Sequence, residues 1–266
     1  MIALGAIILF MGACSQGSSN DATTATTDTA KPDSTGVKTL SEGTFAEATS
    51  ASVTGTWVET VSNDAGTITS ITTWIFDASG NFTHVIDLTT NFTGTAKHSW
   101  EGETGKAAFA ENVVTLTISK MGKSGTAAFD AATAVWTSPG FTKIEKKNAV
   151  IIDQRLCIEA IKRVGTGRGI EGNWEEISSI EYPGMPTINT YEKSVYVFTA
   201  SGYTEKQVSS SSPTFDTIDV TTDSAYTFTI QDGYTLKCTD SGETVTQTVH
   251  LSGNWLYLGT GGNKTS

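Results

Sequence analysis

The chain has little cysteine, histidine or proline: 3, 3 and 5 residues among 266. Three cysteines exclude a disulfide-dense scaffold. Three histidines, none at zinc spacing from each other or from cysteine, leave little material for a metal site. Positive charge is also scarce. Seventeen Lys and Arg stand against 28 Asp and Glu, for a net charge of -11, so the cationic footprint of a nucleic-acid binder is missing. The deficit is uneven: residues 55–171 carry a net charge of -1 and residues 172–266 a net of -7. Long apolar runs are absent too. The longest, Ile2 to Met11, falls well short of the ~20 residues a membrane-spanning helix needs.

The usual signatures of catalysis are missing as well. There is no Gly-x-Ser-x-Gly elbow. Gly122-Lys123-Ser124 lacks the upstream glycine of a phosphate loop, and Gly165-x-Gly167 does not continue into a dinucleotide fingerprint. Glu101, Glu103 and Glu111 read as solvated strand-edge carboxylates, and the seven basic residues from Lys143 to Arg168 as a solvated surface. His84 shares a strand face with Phe82 and Ile86, which suits a hydrogen-bonded interior histidine. Cys157 and Cys238 read as buried small apolar residues. The expectation is a protein that is not an enzyme and carries no cofactor or metal.

What is present begins with the short apolar run, which ends in Met11-Gly12-Ala13-Cys14. Its length suits a signal-peptide h-region, and small residues precede the cysteine. The segment resembles a bacterial lipoprotein signal with its lipobox. That resemblance implies a signal peptide over residues 1–13, lipid attachment at Cys14 and a place in the cell envelope. Ser15 after the cysteine points to the outer membrane. Residues 15–36 hold ten Ser or Thr and no Val, Ile, Leu, Met or aromatic residue. Such a stretch has too little to bury to offset its ordering entropy, so residues 14–54 read as a tether.

The most informative feature is self-similarity. Gly55-Thr56-Trp57 returns as Gly172-Asn173-Trp174. Trp74-Ile75-Phe76-Asp77-Ala78-Ser79-Gly80 returns as Tyr196-Val197-Phe198-Thr199-Ala200-Ser201-Gly202. Val114-Thr115-Leu116 returns as Tyr234-Thr235-Leu236, and Leu156-Cys157-Ile158 as Leu256-Tyr257-Leu258. Four matches in one order indicate duplication, with residues 163–172 as the joint. The second copy carries an extra turn-rich stretch, Tyr182-Pro183-Gly184-Met185-Pro186.

Within each copy the apolar period is two. Phe82, His84, Ile86 and Leu88 fall on one face; Tyr226, Phe228 and Ile230 alternate with threonines; Val245, Gln247, Val249 and Leu251 do the same. This pattern predicts half-buried antiparallel strands, with hairpin turns at Asp77–Gly80 and Thr199–Gly202. About eight strands fit in each copy. Eight such strands close naturally into an up-and-down barrel, which removes exposed edges. The expected fold class is all-β, with one barrel over residues 55–171 and a second over 172–266, each folding by itself.

Gly-x-Trp opening a repeat, followed by an aromatic-x-Phe strand and a glycine turn, resembles the bacterial lipocalin-like domain. The resemblance implies that Trp57 and Trp174 pack at a closed barrel end, with Lys162 or Arg163 as the cation over Trp57. It also implies a calyx able to take a small apolar molecule, lined by Trp74, Phe76, Phe82, Ile86, Tyr196 and Phe198. The other expectation is a structural or surface-interaction lipoprotein with filled barrels and no ligand.

Overall fold

The computed structural model describes residues 39–63, 65–240 and 243–265. The signal segment, Cys14 and most of the tether lie outside the described residues. The chain is all-β. Its strands are β1 (Phe45–Glu47), β2 (Gly55–Ser62), β3 (Ile68–Phe76), β4 (Asn81–Thr90), β5 (Lys97–Ala110), β6 (Val113–Ser124), β7 (Lys143–Ile152), β8 (Arg155–Ile158) and β9 (Ile161–Val164). They continue as β10 (Gly172–Glu181), β11 (Thr190–Phe198), β12 (Gly202–Ser210), β13 (Val220–Asp232), β14 (Thr235–Asp240), β15 (Glu243–Ser252), β16 (Trp255–Leu258) and β17 (Gly262–Thr265). A single turn of helix, α1 (Ser50–Val53), is capped reciprocally by Thr49 and Ser52.

The strands predicted from period two are found. Residues 82–88 lie in β4, 226–230 in β13 and 245–251 in β15. The Asp77–Gly80 turn is built as the sequence suggests: Asp77 Oδ1 accepts from the Ser79 and Asn81 amides, each at 2.8 Å, and Gly80 takes φ 73°. Its counterpart differs. Gly202 needs no positive φ; a Cβ there would lie 2.5 Å from the Tyr226 carbonyl oxygen, so close strand packing is what requires glycine.

Pairing of neighbours is antiparallel throughout, and it produces an eight-stranded barrel. Strands β2 to β8 pair in sequence order. The ring is closed by β17, which pairs with β2 on one side and β8 on the other. The closing strand therefore comes from the far end of the described chain. Strand β9, the last strand of the first copy, pairs instead with β10 and β16. With β10 to β16 paired in order, β9 completes a second circuit of pairings. Each repeat supplies eight strands, β2–β9 and β10–β17, but the eighth of each lies in the other's circuit.

Packing follows the pairing. One core cluster holds Trp57, Trp74, Phe76, Phe82, Leu116, Ile118 and Leu156 from the first circuit. A second holds Trp174, Tyr196, Phe198, Tyr203, Phe228 and Leu256, together with Ile161 from the exchanged β9. Val150, Ile152 and Cys157 form a third cluster with Trp255, joining the walls of the two circuits. Glu59 on β2 ties the walls as well. Its carboxylate accepts from Tyr257 Oη at 2.9 Å, Thr260 Oγ1 at 3.2 Å and the Gly261 amide at 3.0 Å.

The exchange reassigns the cations over the opening tryptophans. Arg163 lies 4.1 Å from the Trp174 ring centroid, and Lys264 lies 5.3 Å from that of Trp57. Neither Lys162 nor Arg163 covers Trp57; Lys162 lies over Trp255. The two ends are otherwise built alike. Trp57 Nε1 donates to the Val53 carbonyl at 2.6 Å, and Trp174 Nε1 to the Ile170 carbonyl at 2.7 Å. Gly55 and Gly172 take φ +128° and +126°, and a Cβ on either would meet the cation, at 2.8 Å from Lys264 Cε or 3.0 Å from an Arg163 guanidinium nitrogen. The Gly-x-Trp pattern thus has two physical causes: a backbone region closed to most L-residues, and room for the cation.

Candidate functional site: a barrel cavity with an aromatic floor

In the first circuit, register places His84 opposite Glu103, and Glu103 opposite Met121; Ile86, Glu101 and Lys123 form the next row. Paired residues on adjacent strands share a face. These two rows line a cavity of about 350 Å³, with Val135 and Thr137 at its side. Its floor is aromatic. The His84 ring stacks on Trp74 at 3.8 Å between centroids and 12° between planes, and Trp74 stacks in turn on Phe76 at 5.9 Å. A more polar hollow of about 520 Å³, lined by Trp57, Asp153, Gln154, Arg155 and Lys264 among others, marks the closing end of the barrel.

Beside the aromatic floor runs a ladder of buried charge. Lys143, Glu145 and Lys147 alternate along one face of β7, the face that farther along carries the core residues Ala149 and Ile151. Lys143 Nζ lies 2.6 Å from Glu145 Oε1 and 2.9 Å from Glu103 Oε2. Lys147 Nζ lies 3.5 Å from Glu145 Oε2 and 2.7 Å from Glu159 Oε1. Glu103, Lys143 and Glu145 are only 4%, 5% and 3% exposed. Burial pushes the Glu103 carboxyl upward, but the His84 ring, 3.9 Å away, and the Lys143 charge outweigh it and hold the group at about 2. Burial likewise disfavours the Lys143 ammonium, and the Glu103 and Glu145 charges raise it above its ordinary value. The buried Glu103 Oε2 has the Lys143 ammonium, 2.9 Å away, as its charge partner.

The interior face of the barrel continues into the second circuit. The end of β10 pairs with the start of β7, with Ile180 opposite Glu145. The face bearing Lys143, Glu145 and Lys147 is therefore continuous with the face bearing Trp174, Glu176 and Ile180. Across β10, β11 and β12, Glu176, Ser194, Tyr196 and Glu205 come together through register. Burial first, then the Glu159 charge, raises Glu176 well above the usual carboxylate range. Burial raises Glu192 and Glu205 as well. The first circuit balances its buried charge; the second holds carboxylates in excess. Among the described residues, no group of three or more His, Cys, Asp or Glu side chains is arranged to hold a metal ion.

Of the six residues expected to line a calyx, Ile86 borders the cavity. Trp74 forms its floor through His84, while Phe76 and Phe82 are core beneath it. Tyr196 and Phe198 pack in the second core, where Phe198 stacks on Tyr203 at 4.7 Å. Sequence reasoning missed Glu103 and Lys143. Glu103 is interior, not a solvated edge, and the basic stretch from Lys143 to Arg168 is not uniformly a solvated surface, since Lys143 and Arg163 are each 5% exposed. The available signal was the phase of β7, where Lys143, Glu145 and Lys147 run in step with Ala149 and Ile151. The outer face of β4 and β5 was missed too. Residues 125–142 fold back over it, packing Phe129 and Trp136 against Trp100 at 5.2 and 5.7 Å, with the Phe129 amide donating to Asp87 Oδ2 at 2.9 Å. Cys157 and Cys238 are buried and free. Compared with protein-family models, curated proteins and solved structures, the chain matches none.

Proposed function

We propose that this protein is an exported, lipid-anchored binding protein that holds a small, largely apolar molecule in the cavity of its first circuit. In this reading the chain is a duplicated lipocalin-like barrel whose two copies have exchanged closing strands. The observation that carries the binding reading is the cavity itself. It is a half-open space of about 350 Å³ with Ile86, Met121 and Val135 on its walls and the His84–Trp74 stack at its floor. Cavities of this size with apolar walls and a few converging polar groups are typical of small-molecule sites. A flat apolar body fits against the stack, and a polar edge on the ligand would meet Glu101, Lys123 and Thr137 on the same wall. Nothing in the cavity requires chemistry on the ligand, and the reading assigns no catalytic residue.

The filled-barrel reading applies to the second circuit. Trp174, Tyr196, Phe198, Tyr203 and Phe228 occupy its core, so binding is assigned to the first circuit alone.

Native mass spectrometry of the purified soluble chain, followed by release into organic solvent for identification, tests the binding reading. The expected result is a retained molecule that is lost on Ile86→Trp, which fills the cavity. Equal retention in that variant would sink the assignment to this cavity. The anchor is tested separately: Cys14→Ala is expected to move the protein from the detergent phase to the aqueous phase. Two acyl chains anchor stably where one does not, so unchanged partitioning would remove the lipoprotein reading.

A further inference from the structure

We propose that the groove between β2 and β8 is a strand-acceptor site that can take β17 of a second copy of this chain in place of its own. Copies would then join by reciprocal exchange of closing strands. The starting point is that neither circuit closes with the eighth strand of its own repeat. The first takes β17 and the second takes β9. The acceptor groove therefore selects for what the strand carries rather than for chain continuity.

What it selects is visible at the Gly-x-Trp end. Gly262 sits against Trp57 and Leu156: a Cβ there would lie 3.2 Å from Trp57 Cβ and 3.5 Å from the Leu156 carbonyl oxygen, so the strand packs closely on both walls of the groove. Two residues on, Lys264 lies over Trp57 in the space left by Gly55. Every one of these contacts re-forms identically when β17 arrives from another chain. Exchange then costs little beyond association and hinge rearrangement, which is what makes swapping a low-cost route to dimers.

The hinge is short. Three residues, Gly259 to Gly261, join β16 to β17, and two, Glu159 and Ala160, join β8 to β9. In the β16–β17 hinge Gly261 takes φ 66°, which glycine adopts freely. Connections this short favour opening into a swapped partner over folding back. Opposing this, a three-residue connection holds β17 near its own groove at an effective concentration of order mM. Monomers therefore dominate in dilute solution, and exchanged species form when chains refold at comparable concentration.

The test uses full chains carrying Cys14→Ser, with one cysteine added to each of two variants, Thr56→Cys and Thr265→Cys. These positions are Cα partners across β2 and β17. Antiparallel partners lie about 4.5–5.5 Å apart, within the ~4.4–6.8 Å that a disulfide spans. The variants are mixed, unfolded, refolded at high concentration and oxidised. The expected product is a disulfide-linked heterodimer, with its yield rising with protein concentration. The double variant Thr56→Cys with Thr265→Cys, oxidised when dilute, is expected to crosslink within one chain and then to resist dimerisation. The proposal is overturned if the double variant crosslinks internally while the mixture never crosslinks between chains. It is equally overturned if Thr187→Cys, on the exposed β10–β11 loop, crosslinks to Thr265→Cys as well as Thr56→Cys does. Failure of the double variant to crosslink internally would remove β17 from the groove and the proposal with it.

Discussion

Glu103 and Lys143 illustrate how a single residue can be misread and why. Alternation along a strand assigns charged side chains outward, because burying an unpaired charge is expensive. The rule fails when another strand supplies the opposite charge, and sequence gives no view of cross-strand partners forty residues away. Once paired, such groups are costly to separate. Glu103→Gln leaves Lys143 with Glu145 alone, inside a barrel. Breaking a buried pair from one side costs about 3–5 kcal/mol, and we expect a loss toward that range. Urea unfolding at neutral pH reads it, and a change within about 0.5 kcal/mol would place Glu103 at the solvated edge after all. The cations over the tryptophans make a second contrast. Arg163 donates to the Glu171 carbonyl at 2.8 Å and to the Gly169 carbonyl, besides covering Trp174. Lys264 contributes its contact with the Trp57 ring. A cation over an aromatic ring contributes about 0.5–2 kcal/mol, and hydrogen bonds from a charged donor about 1.5–3. Arg163→Met is therefore expected to destabilise the protein by more than Lys264→Met does. Equal midpoint shifts for the two in chemical denaturation would contradict the geometry.

At the scale of elements, the strands were legible and their closure was not. Period two fixes that 82–88 or 245–251 is a strand and which face is apolar, since each side chain responds to burial locally. The repeated pattern was legible for the same reason: Gly55-x-Trp57 and Gly172-x-Trp174 carry one local demand for glycine and one buried indole. The choice of closing strand depends on which of two nearly equivalent segments enters which groove. Val164 and Thr265 end strands of equal length, each bearing a cation that fits over a tryptophan, and nothing local distinguishes them. The cavity was half legible. Ile86 and Trp74 follow from phase, whereas the wall at Val135 depends on a long β6–β7 connection folding back. The exchange changes what the halves should do when separated. Residues 39–165 and 166–266, expressed apart, each carry a closing strand whose groove lies on the other. Mixed, they are expected to form a 1:1 complex that melts more cooperatively and at higher temperature than either half. Light scattering on a sizing column and thermal melts check this. Two stable monomeric halves that ignore each other would mean that each repeat closes on its own eighth strand.

For the molecule as a whole, buried groups pull the pH dependence of stability in opposite directions. Glu103 is held below its ordinary value, so its stabilisation is present above about pH 4.5 and is lost as pH falls toward 2. Burial also lowers the proton affinity of His250, which accepts no charge readily beside Arg155. That contribution is present above the unfolded value of 6.5 and is lost as pH falls below it. Glu176 is the reverse case. Its folded form holds a proton more tightly than the unfolded chain does, so between 4.5 and its raised value the folded state carries more protons. Stability therefore falls as pH climbs through that window, and the cost is greatest in alkaline solution. Glu176→Gln removes the ionisation and keeps the shape. Lys147 is not stranded by the change, since Glu145 and Glu159 both remain within reach of its ammonium. Each tenfold gain in the proton affinity of the folded form corresponds to about 1.4 kcal/mol. We therefore expect Glu176→Gln to raise stability at pH 8 and to change it little near pH 4.5. Because Glu103 and His250 are common to both proteins, their own pH dependence cancels in the difference. Paired denaturation curves at the two pH values decide it. A variant that is less stable than the parent at pH 8 would mean that the Glu176 carboxylate is ionised and held by a partner, and that the second circuit balances its charge as the first does.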